Sequence, residues 1–231
     1  MDILVFLGSV RDSTPPRPAR LGARVAAACC RLVAARGHAA RLIDPLEIDT
    51  GPDTNPDTGP DTGDLKKRGV FKPHFAYPRG AAPGGLERLA DAIGAADGYV
   101  MVSPEYNHSM SPALAHLLNH FGASLFAWKP SAIVTYSAGQ WGGVRAAAGM
   151  RSFLSELGCL PVSAMVHVPK AQEVLAGDGS WLADAGRWDG YVGRTLAQLD
   201  WWAQAARRQR TEGEGEPTRP FTRDPSQRNA P

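Results

Sequence analysis

Apolar positions along the chain follow two patterns that alternate from one end to the other. Ile3 to Leu7 is a continuous apolar run, as expected of a strand covered on both faces. Leu21, Val25, Cys29 and Leu32 then recur at helical spacing, with Gly37 placed as a C-cap. Ala39 to Ile43 predicts a second strand, closed by Asp44-Pro45. Leu86, Leu89, Ala90 and Ile93 form a helical face, and Gly98 to Val102 a third strand. Leu114, Leu117, Leu118 and Phe121 mark the next helix, with Ser111 and Pro112 at its N-cap and first turn. Ser131 to Ser137 predicts a fourth strand. Val144, Ala147, Ala148, Leu154 and Leu157 follow as a helix ending at Gly158. Met165 to Val168 is the fifth strand, and Trp188, Val192, Thr195, Leu199 and Trp202 mark a closing helix.

Five strands alternating with helices imply an α/β fold, a parallel sheet with helices on both faces. Right-handed crossovers leave few topologies, of which the simplest is a doubly wound five-stranded sheet with order 2-1-3-4-5. One domain over residues 1–206 accommodates the pattern. Two stretches depart from it. "PDTNPDTGPDTG" (Pro52 to Gly63) repeats Pro-Asp-Thr at a period of four, within a low-complexity insertion over residues 50–64. Its aspartates lack the bidentate Glu of a calcium loop, and the segment reads as a mobile surface insertion. Residues 207–231 are charged and poor in apolar side chains, which predicts a disordered tail.

Composition narrows the picture only by exclusion. With 43% hydrophobic and 21% charged residues among 231, the chain has the makings of a sizeable core. A net charge of +2 gives no argument for nucleic acid or an anionic membrane. The N-terminal apolar run is too short for a signal peptide, and no stretch approaches a membrane span. Cys29, Cys30 and Cys159 show neither CxxC nor zinc spacing, so reduced thiols in a cytoplasmic protein are expected.

Candidate chemistry follows from topology. In a sheet of this order ligands bind beyond the carboxyl ends of the strands, between the first and third. The loops after strands one, three and four converge there. They are the most unusual pieces of the sequence: "GSVRDSTPPRP", "SPEYNHSMSP" and "SAGQWGG". In the first, Ser9 offers a hydroxyl, Arg11 a planar fork of donors, and the following helix its N-terminal N–H groups. Neither GxGxxG nor GxxxxGK[ST] is present, so a monophosphate is the expected guest. In the second, Asn107 tolerates left-handed backbone and presents an amide, while Glu105 and Tyr106 offer main-chain donors to a flat heterocycle. In the third, Gly139, Gly142 and Gly143 permit close backbone approach, and Trp141 supplies a flat apolar face.

With these residues in view, "FLGSVR", "RLIDP", "SPEYNHSMSPALAHLLNHF" and "YSAGQWGGVRAAAGMRSFLSELG" resemble the NADPH-dependent FMN reductases of the flavodoxin-like superfamily, which include quinone, azo-dye and metal-ion reductases. The similarity spans roughly residues 1–205 apart from the insertion. PEYNxS joined to the SAGxxGG turn is its specific part. The resemblance implies that Ser9 and Arg11 hold the FMN phosphate. It further implies that Pro104, Glu105, Tyr106 and Asn107, with Ser137, Ala138, Gly139, Gly142 and Gly143, line the isoalloxazine. Family loops of the form GSxRxGRxGxR are shorter than this one, where Asp12 to Ala19 intervene with three prolines. The family's second basic phosphate contact therefore falls on Arg17 or Arg20, with Arg20 favoured because it directly precedes the helix.

The implied activity is transfer of electrons from NADPH or NADH through FMN to a flavin, quinone or similar small acceptor, by a homodimer or homotetramer. Hydride passes between rings, so no side chain is required as acid or nucleophile. The alternative is a flavodoxin-like electron carrier or flavin-binding partner protein without NAD(P)H oxidation. Other candidates carry less. His116 and His120 share a helix face, but the Glu of HExxH is absent, and solvated or interface histidines are the expectation. "YSAGQ" does not match the GxSxG of a hydrolase. Trp188, Trp201 and Trp202 are heavy for one helix and predict packing on the core or in a subunit interface.

Overall fold

The computed structural model describes residues 1–11, 20–50 and 71–213. The Pro-Asp-Thr insertion (residues 52–63), residues 12–19 with Arg17, and residues 214–231 lie outside the described residues. Five parallel strands form the sheet: β1 (Asp2–Leu7), β2 (Ala39–Ile43), β3 (Gly98–Tyr106), β5 (Pro130–Tyr136) and β6 (Leu160–Val168). Their order is β2-β1-β3-β5-β6, with the two-residue β4 (Ser109–Met110) paired to β3 outside that path. Without β4 this is the expected 2-1-3-4-5 order.

The continuous apolar strands are explained by what covers them. Ile3, Val5, Leu7, Val100, Val102, Val134 and Tyr136 face α1 (Leu21–Ala35) and α7 (Ala185–Glu212), while Leu4, Phe6, Tyr99, Met101 and Ile133 face the opposite layer. That layer consists of α2 (Gly84–Ala95), α3 (Pro112–Asn119), α4 (Ala123–Phe126) and α5 (Val144–Glu156). Helix boundaries obey their local signals. Ser111 accepts a bond from the Leu114 N–H at the start of α3, with Pro112 in its first turn. Residues Gly37 and Gly158 take positive φ just beyond α1 and α5.

Four expectations need correction. First, β3 does not stop at Val102. Ser103 and Pro104 continue pairing with Thr135 and Tyr136 of β5, and Glu105 and Tyr106 pair antiparallel with Met110 and Ser109. The polar segment is thus a β-hairpin closed by Asn107 and His108, both at positive φ, as a two-residue turn between twisted strands requires. Second, the last strand begins at Leu160 rather than Met165. It lies at the sheet edge and alternates in exposure, so its first half shows no apolar run.

Third, residues 207–212 are not tail but the last turns of α7. Arg207 and Arg210 bridge Asp97 at 3.4 and 3.3 Å, and Arg210 donates to the Trp128 carbonyl at 2.8 Å. Charged side chains there have fixed partners on the body of the domain. Fourth, His120 is fully buried, its ring centroid 4.7 Å from Phe71 and 5.1 Å from His116. Burial, with the neighbouring His116 and His74, pulls its pKa down to about 4. Of the three tryptophans, Trp188 stacks on Trp181, whereas Trp201 and Trp202 are exposed on α7. Cys29, Cys30 and Cys159 are all free thiols, and burial pushes Cys159 up to about 12.

Candidate functional site

Three loops meet at the carboxyl edge of the sheet because β1, β3 and β5 are adjacent and in register. Gly8 leaves β1 with its N–H bonded to the Val102 carbonyl at 2.7 Å, so the first loop rises directly beside β3. Ser9 is buried, and its Oγ accepts from the Arg11 N–H at 3.3 Å. Arg11 itself is exposed. Helix α1 then approaches the strand ends closely. A Cβ on Gly22 would collide with the Tyr136 hydroxyl and sit 2.8 Å from Leu7 Cδ1 and 3.0 Å from Ser9 Cβ. Only glycine lets the first turn of α1 settle there. That turn has no side-chain cap and no acidic residue. Its N–H groups therefore carry the positive end of a 15-residue helix toward the loop.

Arg20 stands next to this turn, but its guanidinium forks onto the Asp44 carboxylate at the end of β2, with Nη2 to Oδ1 at 2.8 Å. Both side chains are mostly buried. Arg20 thereby ties the first loop to the β2 exit. Asp44 also accepts from the Leu46 N–H at 2.9 Å. Of the two basic candidates at the head of the site, Arg11 is the exposed one.

The hairpin and the β5–α5 turn are joined by one carboxylate. Glu105 Oε2 accepts from the Arg145 N–H at 3.1 Å and the Ala146 N–H at 3.3 Å, while Oε1 accepts from Arg145 Nε at 2.7 Å. Glu105 is therefore the N-terminal cap of α5, supplied from a different loop. Such a cap replaces the one its own sequence lacks, since Gly143 stands at that position. Burial acts to raise the Glu105 pKa, but the bonds from Arg145 and the helix N–H groups outweigh it and hold the carboxyl below its usual range. Sequence spacing gives no sign of this contact, because the partners lie 40 residues apart.

The β5–α5 turn is organised from behind. Ser137 Oγ donates to the Gly139 carbonyl at 2.8 Å and accepts from the Gly142 N–H at 2.9 Å. The carbonyls of Ser137, Ala138 and Gly139 accept from Ala171 N, Gln172 Nε2 and Lys170 N at 3.0, 3.0 and 2.9 Å. All three acceptors face the segment that opens α6 (Ala171–Val174). With those carbonyls engaged, the Ala138–Gly139 stretch offers a ligand its N–H donors. Gly143, with φ of 79°, starts α5; a Cβ there would lie 2.9 Å from Thr135 Cβ. Gly139 has open space on its Cβ side. Trp141 is 60% exposed and Tyr106 41% exposed, so neither belongs to the core.

The structure thus brings Ser9, Arg11, Pro104 to Asn107 and Ser137 to Gly143 to one edge, and it adds Tyr136 and Asp44. Its chemistry is consistent from end to end. A hydroxyl, an exposed guanidinium and an uncapped helix N-terminus suit a phosphate; a donor-bearing turn and two exposed aromatic faces suit a flat, carbonyl-bearing ring. These residues fit FMN.

Comparison with known proteins agrees. Among solved structures, a flavoenzyme NAD(P)H:(acceptor) oxidoreductase from Paracoccus denitrificans superposes with a TM-score of 0.62 at 22% identity, covering 88% of this chain and 97% of that one. An oxidoreductase from Corynebacterium diphtheriae gives 0.59 at 15% identity over the same shares. At these identities the likeness speaks for the fold, which is flavodoxin-like. An NAD(P)H-dependent FMN reductase of Pseudomonas aeruginosa is 31% identical over 129 residues, 54% of this chain and 69% of its own length. An NADPH azoreductase of Bacillus sp. (strain OY1-2) is 36% identical over 70 residues, 30% of this chain and 39% of its own length. The model of the NADPH-dependent FMN reductase family matches residues 1–173, three strand-end loops included, and the chain belongs to that family.

Proposed function

We propose that the crevice between the first loop, the hairpin and the β5–α5 turn binds FMN, and that the enzyme reduces small planar acceptors of the quinone or flavin type there. Membership in the family makes the protein an NAD(P)H-dependent FMN oxidoreductase. When bound, FMN accepts hydride from NAD(P)H and hands electrons on to the acceptor. The protein's part is to bind, orient and polarise. Arg11 and Ser9 hold the phosphate, with the α1 N-terminus behind them and Arg20 bracing the loop through Asp44. Pro104 to Asn107 present hairpin backbone and the Asn107 amide to the ring. The N–H groups around Gly139 face the ring's carbonyl edge, where donors favour negative charge on the reduced state.

The observation that carries this reading is the anchoring of the turn. The carbonyls of Ser137, Ala138 and Gly139 are occupied by the segment that opens α6, so this stretch of the turn meets an acceptor-rich ring with N–H donors. Exposed Tyr106 and Trp141 supply flat surfaces at the mouth, which supports a planar acceptor. Free thiols, buried at Cys29 and Cys159, support a cytoplasmic location, and the exposed Trp201 and Trp202 of α7 support a homodimer or homotetramer.

Anaerobic mixing of the FMN-loaded protein with NADPH tests the proposal. Rapid bleaching of the flavin absorbance, followed by its return on adding a quinone, is the expected result. Protein that binds FMN but stays oxidised over minutes would be a carrier rather than a reductase.

A further inference from the structure

The side chain of Gln172 on α6 reaches back to a turn 34 residues earlier in the chain, where its Nε2 donates to the Ala138 carbonyl at 3.0 Å. This bond completes a set of three. The carbonyls of Ser137 and Gly139, on either side, accept from the main-chain N–H groups of Ala171 and Lys170 at 3.0 and 2.9 Å. Main-chain donors of that kind come with almost any residue. The Ala138 carbonyl, between them, is held by a side chain. In this clamp Gln172 is the point at which residue identity matters.

What the clamp does on the ring side follows from peptide geometry. In a trans peptide the C=O of one residue and the N–H of the next point in opposite directions. Turning the carbonyls of Ser137, Ala138 and Gly139 toward α6 therefore aims the N–H groups of Ala138, Gly139 and Gln140 away from it. Helix α6 continues from β6, on one flank of β5, and the crevice lies on the other flank, toward β3 and β1. Among the described residues none of these three N–H groups has an acceptor. The middle peptide has the most room to turn over, because Ala138 is exposed and Gly139 has open space on its Cβ side. Turned over, it would present the ring with a carbonyl in place of a donor.

The amide is not there for packing. Gln172 is half-buried, and its Oε1 is shielded from solvent without a hydrogen-bond partner among the described residues. An unpaired, buried acceptor disfavours the folded state. An apolar side chain of the same length would fill the space without that penalty, but it could not hold the Ala138 carbonyl.

We infer that Gln172 is a positioning residue of the FMN site: by holding the Ala138 carbonyl it keeps the Gly139 N–H turned toward the ring, and so favours negative charge on the reduced flavin. The inference rests on the FMN reading above. Its effect belongs to the ring, because the proposed phosphate position lies at the first loop.

Two substitutions that remove the donor but differ in packing test it. Gln172→Met keeps the length of the side chain, and Gln172→Ala does not. For both variants and the parent, the midpoint potential of bound FMN, the affinities for FMN and riboflavin, and the melting temperature are measured. Loss of one hydrogen bond corresponds to roughly a fivefold fall in the preference of the site for reduced over oxidised FMN. For a two-electron couple that is a drop of about 20 mV, expected equally in both variants. The ratio of FMN to riboflavin affinity is expected to hold within about twofold, since riboflavin lacks only the phosphate. Should Gln172→Met fail to fold, Gln172→Ala reads the same potential. An unchanged potential in Gln172→Met, whatever its melting temperature, would make the amide a structural tie and overturn the inference. A changed FMN-to-riboflavin ratio would move its effect to the phosphate end, and failure of both variants to fold would assign it to the scaffold; either result also overturns it. A parent protein that binds no FMN would overturn the FMN reading and this inference with it, a result distinct from each of these.

Discussion

At the scale of single residues, two charges at the site differ in what they do. Glu105 is nearly buried, with 8% of its side chain exposed, and it satisfies two helix N–H groups; Arg145, its ion-pair partner, is 44% exposed. The half-exposed ion pair contributes on the order of 0–1 kcal/mol, and the cap about 1–2 kcal/mol. Glu105→Ala is therefore expected to lower the melting temperature by roughly 3–6 °C and Arg145→Ala by less than half of that. Calorimetry on the two variants checks the ranking, and equal losses would mean that the guanidinium, not the helix N–H groups, is the important partner. Arg11 is a different case, exposed and close to the proposed phosphate position. Arg11→Met should weaken FMN binding about tenfold to a hundredfold, since a bond to a charged group is worth roughly 1.5–3 kcal/mol. Riboflavin binding and melting temperature should barely change. A matching fall in riboflavin affinity would make Arg11 a support of the loop.

At the scale of elements, α7 extends past the point where composition turns polar. Its last turns are held because Asp97, just before β3, receives Arg207 and Arg210, and because Arg210 caps the Trp128 carbonyl. Three charge-assisted contacts at partly exposed positions contribute modestly each, about 0.3–1 kcal/mol. A chain ending at Ala206 should then melt a few degrees below one ending at Gly213. Comparing the two truncations by thermal denaturation isolates the contribution of these turns; identical curves would reduce the contacts to surface decoration. The hairpin illustrates the same principle in reverse. A segment rich in Pro, Asn and His looks irregular, yet backbone pairing with β5 and β4 orders it.

At the scale of the whole molecule, pH couples to stability through His120. This side chain is fully buried, and its pKa falls from 6.5 to about 4 because burial disfavours the charge, with His116 and His74 adding to the effect and the Lys72 main chain opposing it. The folded state resists the proton that the unfolded chain accepts. Stability from this group is complete above pH 6.5 and is lost as pH falls toward 4, by up to roughly 3 kcal/mol. The depressed carboxyl of Glu105 adds a further loss in the acid range, because a group with a lowered folded pKa stabilises only while ionised. Melting curves between pH 7 and pH 4.5 should show a steady decline, flattened in His120→Leu. A decline of unchanged slope in that variant would assign the acid sensitivity to the carboxylates.

Much of the fold was legible from periodicity, and the reason is physical. A strand buried on both faces must be apolar at every position, as Ile3 to Leu7 are, and a helix against a sheet must repeat every three to four residues, as Leu114 to Phe121 do. Strand order followed from crossover handedness, and with it the edge where the loops meet. Residue type alone also marked Ser9 and Arg11 as candidates and left-handed backbone at Asn107, though not the hairpin it closes. What the chain order could not contain was the identity of partners from distant segments. Glu105 capping α5, Asp44 receiving Arg20 and Asp97 holding the end of α7 are contacts between residues 24 to 113 positions apart. Each places a polar group where neighbouring sequence gives it no partner, and only packing of the layers brings the partner within hydrogen-bond reach. Local pattern determines which elements form and which edge is chemical; tertiary structure decides which polar groups there are already engaged and which remain for a ligand.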